Sequence, residues 1–184
     1  MNIALLASGK GSNVKNILSF FKENNDGNKI CLIATNNPKS PVRDYALGYQ
    51  TPSVLFTKQE LNKEGYLIDL MESYQIDLVV LAGFLLMIPF DFIKHFKGKI
   101  INIHPSLLPK YKGLNTHLRA IKNKDKFAGA SVHKVNQKLD SGKIILQKKV
   151  KILKKDNIKS LEKKVLKIEH EIYPKAIEKF LTSL

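Results

Sequence analysis

Across the first 104 residues short apolar runs alternate with amphipathic segments, and this alternation leaves the chain few ways to fold. "NIALLAS" at 2–8 reads as a buried strand, and Val14, Ile17, Leu18 and Phe21 then fall on one face of a helix. "KICLIATNN" is a second strand, and "SPVRDYALGY" a short helix with Ser40 as cap and Pro41 in its first turn. "PSVLF" at 52–56 is a third strand. "KQELNKEGYLIDLMESY" carries a helix, "IDLVVLAGF" a fourth strand, "IPFDFIKHF" a short helix and "GKIINIHP" a fifth strand. Helices between successive strands demand crossover connections, so the strands pair in parallel and helices cover both faces of the sheet. The first half is predicted to be doubly wound α/β.

After residue 105 the pattern changes. "PSLLPKYKGLNTH" is a loop with two prolines and a glycine, followed by a short helix near 115–123. "GASVHKVN" and "GKIILQKKVKI" read as strands joined by the turn "QKLDSG". From about Asp156 a long helix carries Ile158, Leu161, Val165, Ile168 and Ile172 in a stripe, and Pro174 is expected to kink or break it. With 184 residues, no repeats and no low-complexity linker, the chain is expected to form a single domain, 1–184.

The formal charge of +15 raises the possibility of a nucleic-acid partner. Nearly every basic residue is lysine, however, with only Arg43 and Arg119 to the contrary, whereas base and phosphate readers draw on the arginine fork. The lysines are also scattered or alternate with apolar residues, as on a solvated face, so no specific nucleic-acid partner is expected. Steering of anionic small molecules is a side benefit. No run approaches the roughly 18 apolar residues of a membrane span, and "MNIALLAS" lacks a basic leader, so a cytoplasmic protein without a membrane partner is expected. Cys31, the only cysteine, excludes an intramolecular disulfide and a thiolate metal cage, and it reads as a buried, inert thiol.

The turn "SGKGSN" between the first strand and helix offers backbone N–H groups beside the positive end of a helix dipole. Gly9 and Gly11 match two positions of the dinucleotide fingerprint, but Val14 stands in place of the third glycine, and the second strand ends in Asn36 and Asn37 rather than an acid. No "GxxxxGK[ST]" occurs either. What remains is Gly11, Ser12 and Asn13, suited to a single phosphate on a small ligand, or else a tight turn with Ser12 as helix cap.

"INIHPSLLPKYKG" at 101–113 places Asn102 and His104 two apart at a strand end, hence on the same side of it. Ligands of open α/β sheets bind outside the carboxyl ends of the strands. A histidine moves protons, an asparagine amide donates to a developing oxyanion, and a carboxylate sets the histidine's state; Asp140, in "LDSG", is the nearest downstream candidate for that carboxylate. From spacing alone, a strand-end histidine serving only as a structural hydrogen-bonder remains the competing reading.

"GKGSN", "VVLAGF" at 79–84, "INIHPSLLPKYKG", "GASVH" at 129–133, "LDSGKIILQ" at 139–147 and "EHEIYP" at 169–174 together resemble the formyltransferase family over essentially the whole chain. "HPSLLP" followed at a distance by "LDSG" carries the family. "GSN" narrows the resemblance to the members that move a formyl group from 10-formyltetrahydrofolate to the amine of glycinamide ribonucleotide in purine synthesis. The resemblance implies a mostly parallel, doubly wound sheet with an antiparallel strand in the C-terminal half. It also implies a Rossmann-like phosphate-binding half at 1–104 and a folate-binding, catalytic half at 105–184.

By the same resemblance, Gly11, Ser12 and Asn13 cradle the substrate phosphate, and Asn102, His104 and Asp140 are catalytic. Glu169 and Pro105 bind substrate. Leu85, Leu86, Met87, Ile88, Asn102, Asn136 and Asp140 form the folate pocket, and His133 supports the site. The implied reaction is direct attack of the amine on the formyl carbon through a tetrahedral intermediate, with Asn102 and protonated His104 stabilising the oxyanion, Asp140 orienting the histidine and water carrying a proton. The implied partners are the two small substrates, with the chain a monomer or homodimer. Five scattered histidines without "HExxH" offer no metal-ligand spacing, and no "GxSxG" elbow is present.

The chain departs from the family at Leu86, where an arginine is frequent, and at Leu166, where some relatives carry a polar residue. A methionyl-tRNA formyltransferase is expected to carry a further C-terminal domain, and a formyltetrahydrofolate hydrolase an N-terminal one; neither is expected here. A non-catalytic phosphate-binding or nucleic-acid-binding protein would leave Asn102, His104 and Asp140 without a role.

Overall fold

The computed structural model describes residues 1–24 and 27–183. Two compact units follow one another, Met1–Ile101 and Asn102–Leu184.

In the first unit, β1 (Asn2–Ala7), α1 (Ser12–Glu23), β2 (Lys29–Thr35), α2 (Val42–Gly48) and β3 (Ser53–Leu55) alternate as expected. They are followed by α3 (Lys58–Leu61), α4 (Tyr66–Ser73), β4 (Leu78–Leu81), α5 (Phe90–His95) and the first residues of β5 (Ile100–His104). The strand order is β3-β2-β1-β4, and its three pairings are parallel, with Ile3 to Leu6 opposite Leu78 to Leu81. Burial explains why these runs are continuously apolar: Ile3 to Ala7 are all 0% exposed, as central parallel strands covered on both faces must be. Val14, Ile17, Leu18 and Phe21 form the buried face of α1.

Three local expectations are corrected. The helix read over "KQELNKEGYLIDLMESY" is two helices: a Thr57–Glu60 capping box opens α3, and Gly65, at φ +77°, precedes α4. Ser40 does not cap α2, and Pro41 stands at the N-cap position; the Ser40 hydroxyl instead donates to the carbonyl of Gly9 at 2.6 Å. A turn carbonyl within reach took the hydroxyl that sequence alone assigns to the helix. Cys31 is half-buried rather than buried, because β2 enters the core only from Leu32 onward.

The second unit holds Asn102–His104 of β5, then α6 (Thr116–Lys122), β6 (Phe127–Lys134), β7 (Ile144–Lys151) and α7 (Ile158–Leu181). β6 and β7 are antiparallel, Phe127 opposite Lys151 and Val132 opposite Leu146, with a register shift between Val132 and His133. Ala128 to His133 are buried, whereas β7 carries exposed Lys148 and Lys149. Lys148 pairs with Glu171, and the Lys149 ammonium lies 4.8 Å from the Phe127 ring centroid.

Asn157 caps α7 in a capping box with Ser160. Leu161, Val165, Ile172, Tyr173, Ala176, Ile177 and Phe180 are its buried face, which packs on β6 and β7. Of the two outcomes expected of Pro174, a kink or a break, the break does not occur: α7 continues past it to Leu181. The proline lies in the buried face, where packing on the strands outweighs one missing helical hydrogen bond. Ile158 is exposed and Ile168 half-buried, so the stripe read from sequence is out of phase with the buried face at both positions. Among the described residues no helix is long and apolar enough to cross a membrane.

Candidate active site

Within the second unit, β5 delivers His104 to a buried position with 6% exposure. Its Nε2 lies 2.8 Å from the carbonyl oxygen of Tyr111, and its Nδ1 lies 3.3 Å from Asp140 Oδ2. Both ring nitrogens therefore face acceptors, and an imidazolium, with N–H on each, is the form that fills both contacts.

Asp140 sits in the turn before β7 at φ +45°, a left-handed conformation that costs a non-glycine residue energy and recurs at functional sites. Its Oδ2 also accepts the Gly113 backbone N–H at 2.8 Å, and its Oδ1 is 3.5 Å from His133 Nε2. Burial pushes the carboxyl up, but the hydrogen bonds from His133 and Gly113 and the charges of His104 and His133 outweigh it. The net shift is below the ordinary carboxylate value.

His133, at the register shift of β6, is tied through Nδ1 to the Lys134 carbonyl at 2.8 Å, and its Nε2 lies 3.3 Å from Asn102 Nδ2. A continuous polar chain results: Asn102, His133, Asp140, His104. An ionised carboxylate beside a histidine, with an amide donor at the far end, can hold positive charge and offer an N–H to an anionic centre.

The loop after β5 is fixed from beneath. Ser131, fully buried, accepts the Leu108 N–H at 3.1 Å and donates to the Ser106 carbonyl at 2.6 Å. Gln147 Nε2 reaches Ser131 Oγ at 2.7 Å and the Leu108 carbonyl at 3.1 Å. Gly129 allows the close approach, since a Cβ there would meet the Lys148 carbonyl at 2.1 Å and Leu107 Cδ2 at 2.7 Å.

Of the other residues singled out in this half, Pro105 is half-buried, and Asn136 is exposed and spends its side-chain oxygen on the Lys138 N–H at 2.9 Å. Glu169 lies one helical turn before Tyr173, a buried phenol held well above its usual range by burial and by the Glu169 charge.

In the first unit the glycine turn is built from the carboxyl end of β1. Ser8 N–H donates to the Gly83 carbonyl at 3.0 Å, its hydroxyl donates to Asn36 at 2.6 Å, and Asn37 Nδ2 donates to the Ser8 carbonyl at 2.8 Å. The two asparagines that stand in place of the dinucleotide-binding acid thus lock the turn. Gly11 occupies the N-cap position at φ +69°, and Ser12 begins α1 with no side-chain cap bond at this end, so the helix-cap reading of Ser12 is not what the structure has. The helical ladder starts with Lys15 N–H to Gly11, leaving the N–H groups of Gly11, Ser12 and Asn13 ahead of it. In the same unit, Leu85 and Met87 are 73% and 68% exposed, Leu86 and Ile88 are half-buried, and the Leu85 N–H is held by Ser8 Oγ at 2.9 Å.

Sequence reasoning missed Tyr111, Gly113, Ser131 and Gln147. Tyr111 and Gly113 contribute backbone atoms, which no residue type reveals. Ser131 was visible only as the serine of "GASVH", and Gln147 only as a polar residue in a strand facing solvent.

Comparison with known proteins bears on the whole chain. The formyl transferase family profile matches residues 1–177. Phosphoribosylglycinamide formyltransferase of Haemophilus influenzae is 38% identical over 182 residues, covering 97% of this chain and 86% of that one. The Bacillus subtilis protein of the same name is 35% identical, with 97% and 93% covered. Among solved structures, phosphoribosylglycinamide formyltransferase from Bacillus halodurans superposes with a TM-score of 0.91 at 32% identity, over 98% of this chain and 95% of that one. The structure from Anaplasma phagocytophilum gives 0.90 at 36% identity, over 96% and 85%. A parallel, doubly wound unit, an antiparallel pair after it and full-length similarity of this kind have one reading: the chain belongs to the formyl transferase family.

Proposed function

We propose that this protein transfers the formyl group of 10-formyltetrahydrofolate to the amine of glycinamide ribonucleotide, giving the formylated ribonucleotide and tetrahydrofolate in purine biosynthesis. The observation that carries the reading is the Asn102–His133–Asp140–His104 chain, buried at the two histidines and the carboxylate, in a protein aligned along 97% of its length with a phosphoribosylglycinamide formyltransferase.

Gly11, Ser12 and Asn13 bind the substrate phosphate through backbone N–H groups, the Ser12 hydroxyl and the dipole of α1. Glu169 and Pro105 contact the remainder of that substrate. By the family resemblance the folate is assigned to Leu85, Leu86, Met87 and Ile88, of which Leu85 and Met87 are exposed, and its polar contacts to Asn102, Asn136 and Asp140. The reaction is assigned to the cytoplasm, where both small anions are steered by the net charge of +15.

The amine lone pair adds to the formyl carbon and the carbonyl oxygen becomes an oxyanion. Because both His104 nitrogens already face acceptors, His104 acts through its positive charge, which Asp140 sustains. Asn102, whose Nδ2 lies 3.3 Å from His133 Nε2, offers an amide N–H to the oxyanion. The oxyanion then collapses, breaking the bond between the formyl carbon and the folate nitrogen, while a water carries the proton from the attacking nitrogen to the departing one; neither a metal nor a covalent enzyme intermediate is needed.

The direct test follows tetrahydrofolate release with and without glycinamide ribonucleotide. Turnover that requires the ribonucleotide supports the proposal, whereas release without it marks a hydrolase. The phosphate cradle gives a separate prediction. A Cβ on Gly11 would lie 2.3 Å from Val42 Cγ1 and 3.3 Å from Tyr45 Cε2, at a φ that alanine resists. Gly11→Ala is therefore expected to raise KM for the ribonucleotide by more than about tenfold while KM for the folate moves little, read from initial rates.

A further inference from the structure

Two of the contacts that orient the His104–Asp140 pair come from backbone atoms of one short loop. The Tyr111 carbonyl accepts from His104 Nε2 and the Gly113 N–H donates to Asp140 Oδ2, each at 2.8 Å. Tyr111 sits at φ +56°, a conformation its own side chain disfavours, so something outside the loop must hold it there.

That hold is visible around the tyrosine ring. The Arg119 guanidinium of α6 lies 4.8 Å from the ring centroid and donates through Nη1 to the Lys112 carbonyl at 2.7 Å. The Tyr111 hydroxyl donates to Asp125 Oδ2 at 2.8 Å and accepts from Asn123 Nδ2 at 2.8 Å. Asp125 is itself paired with Lys110 at 3.1 Å.

We propose that Arg119, Asn123 and Asp125 are positioning residues for the reaction: by clamping Tyr111 and Lys112 they fix the two backbone groups that orient His104 and Asp140. The proposal rests on the assignment of that pair to formyl transfer. The physical reason for a rate effect is the steep dependence of catalysis on placement, in which an ångström of misalignment costs about a hundredfold. Arg119 and Asn123 are exposed, and their side chains bond the loop backbone and the Tyr111 hydroxyl, so a purely structural view gives them no influence on turnover.

The test uses Tyr111→Phe, which removes one oxygen, and Arg119→Ala, with Lys149→Ala as an exposed cation–ring control elsewhere in the same unit. In the first two, kcat is expected to fall about tenfold. KM for both substrates should hold within about twofold, and the melting temperature should shift by only a few degrees, as surface changes do. Arg119→Lys keeps a charge over the ring without the forked donor and should fall between wild type and Arg119→Ala. The ring N–H resonances of His104, observed by NMR, should shift in Tyr111→Phe and Arg119→Ala and stay in place in Lys149→Ala. Unchanged kcat and unchanged His104 resonances in both variants overturn the proposal, as does a kcat loss that merely tracks stability while the resonances stand still. A wild-type protein without formyl transfer would overturn the functional reading instead, and the His104 resonances would still decide the positioning role.

Discussion

His104→Ala is expected to lower kcat for formyl transfer by about 10³, since in the proposed mechanism it removes the charge that steadies the oxyanion. Asp140→Asn should cost a similar factor, because the amide presents no charge to His104 and cannot accept at both the Gly113 N–H and the two histidines as a carboxylate does. The two changes act on one unit, so the double variant should lose little more than either single one, and single-turnover rates measure the shortfall from additivity. A second readout comes from stability. The folded pKa of Asp140 is depressed, so its ionised form stabilises the protein above the unfolded carboxylate value, and that contribution is lost as pH falls through the lower folded value. Asp140→Asn should therefore flatten the acid side of the melting-temperature profile.

Gly142→Ala is the largest effect expected outside the polar chain. A Cβ at this position would stand 1.7 Å from the Lys134 carbonyl oxygen and 2.7 Å from its carbon, both backbone atoms that cannot swing aside. The turn must move as a body, taking with it the Lys134 N–H to Lys143 carbonyl bond of 2.9 Å and Asp140 two residues earlier. Overpacking of this kind costs about 3 kcal/mol, or a melting temperature roughly 10 °C lower for a chain of this size. Activity well below that temperature should fall further than stability accounts for, because the displaced carboxylate no longer meets His104 and His133. A variant with lowered melting temperature and undiminished kcat would mean that the turn relaxes without moving Asp140.

The parts of this protein legible in its sequence are those that repeat a physical period. Buried parallel strands must be apolar throughout, so β1, β2 and β4 announced themselves, and the face of α1 followed from a spacing of three and four. Ser40, the continuation of α7 past Pro174 and the helix break at Gly65 are not legible because the deciding partner lies elsewhere: the Gly9 carbonyl for Ser40, the packed strands for Pro174, and for Gly65 a left-handed turn that periodicity does not encode. The same limit applies at the candidate site. Asn102, His104 and Asp140 were legible as residue types with chemistry. Tyr111 and Gly113 were not, because their contribution is a carbonyl and an N–H that every residue possesses, aimed by left-handed φ values of +56° and +75°.

β7 pairs with β6 on one side only in the register described, and its sequence is rich in lysine. A strand edge with free hydrogen-bonding groups is a template on which another chain can add, the first step toward fibrous aggregates. Lys149 and Lys151, both exposed, place like charge along that template, and a second copy approaching edge to edge meets repulsion before it meets hydrogen bonds. Lysine at these positions therefore works against self-association along the open edge of this hairpin.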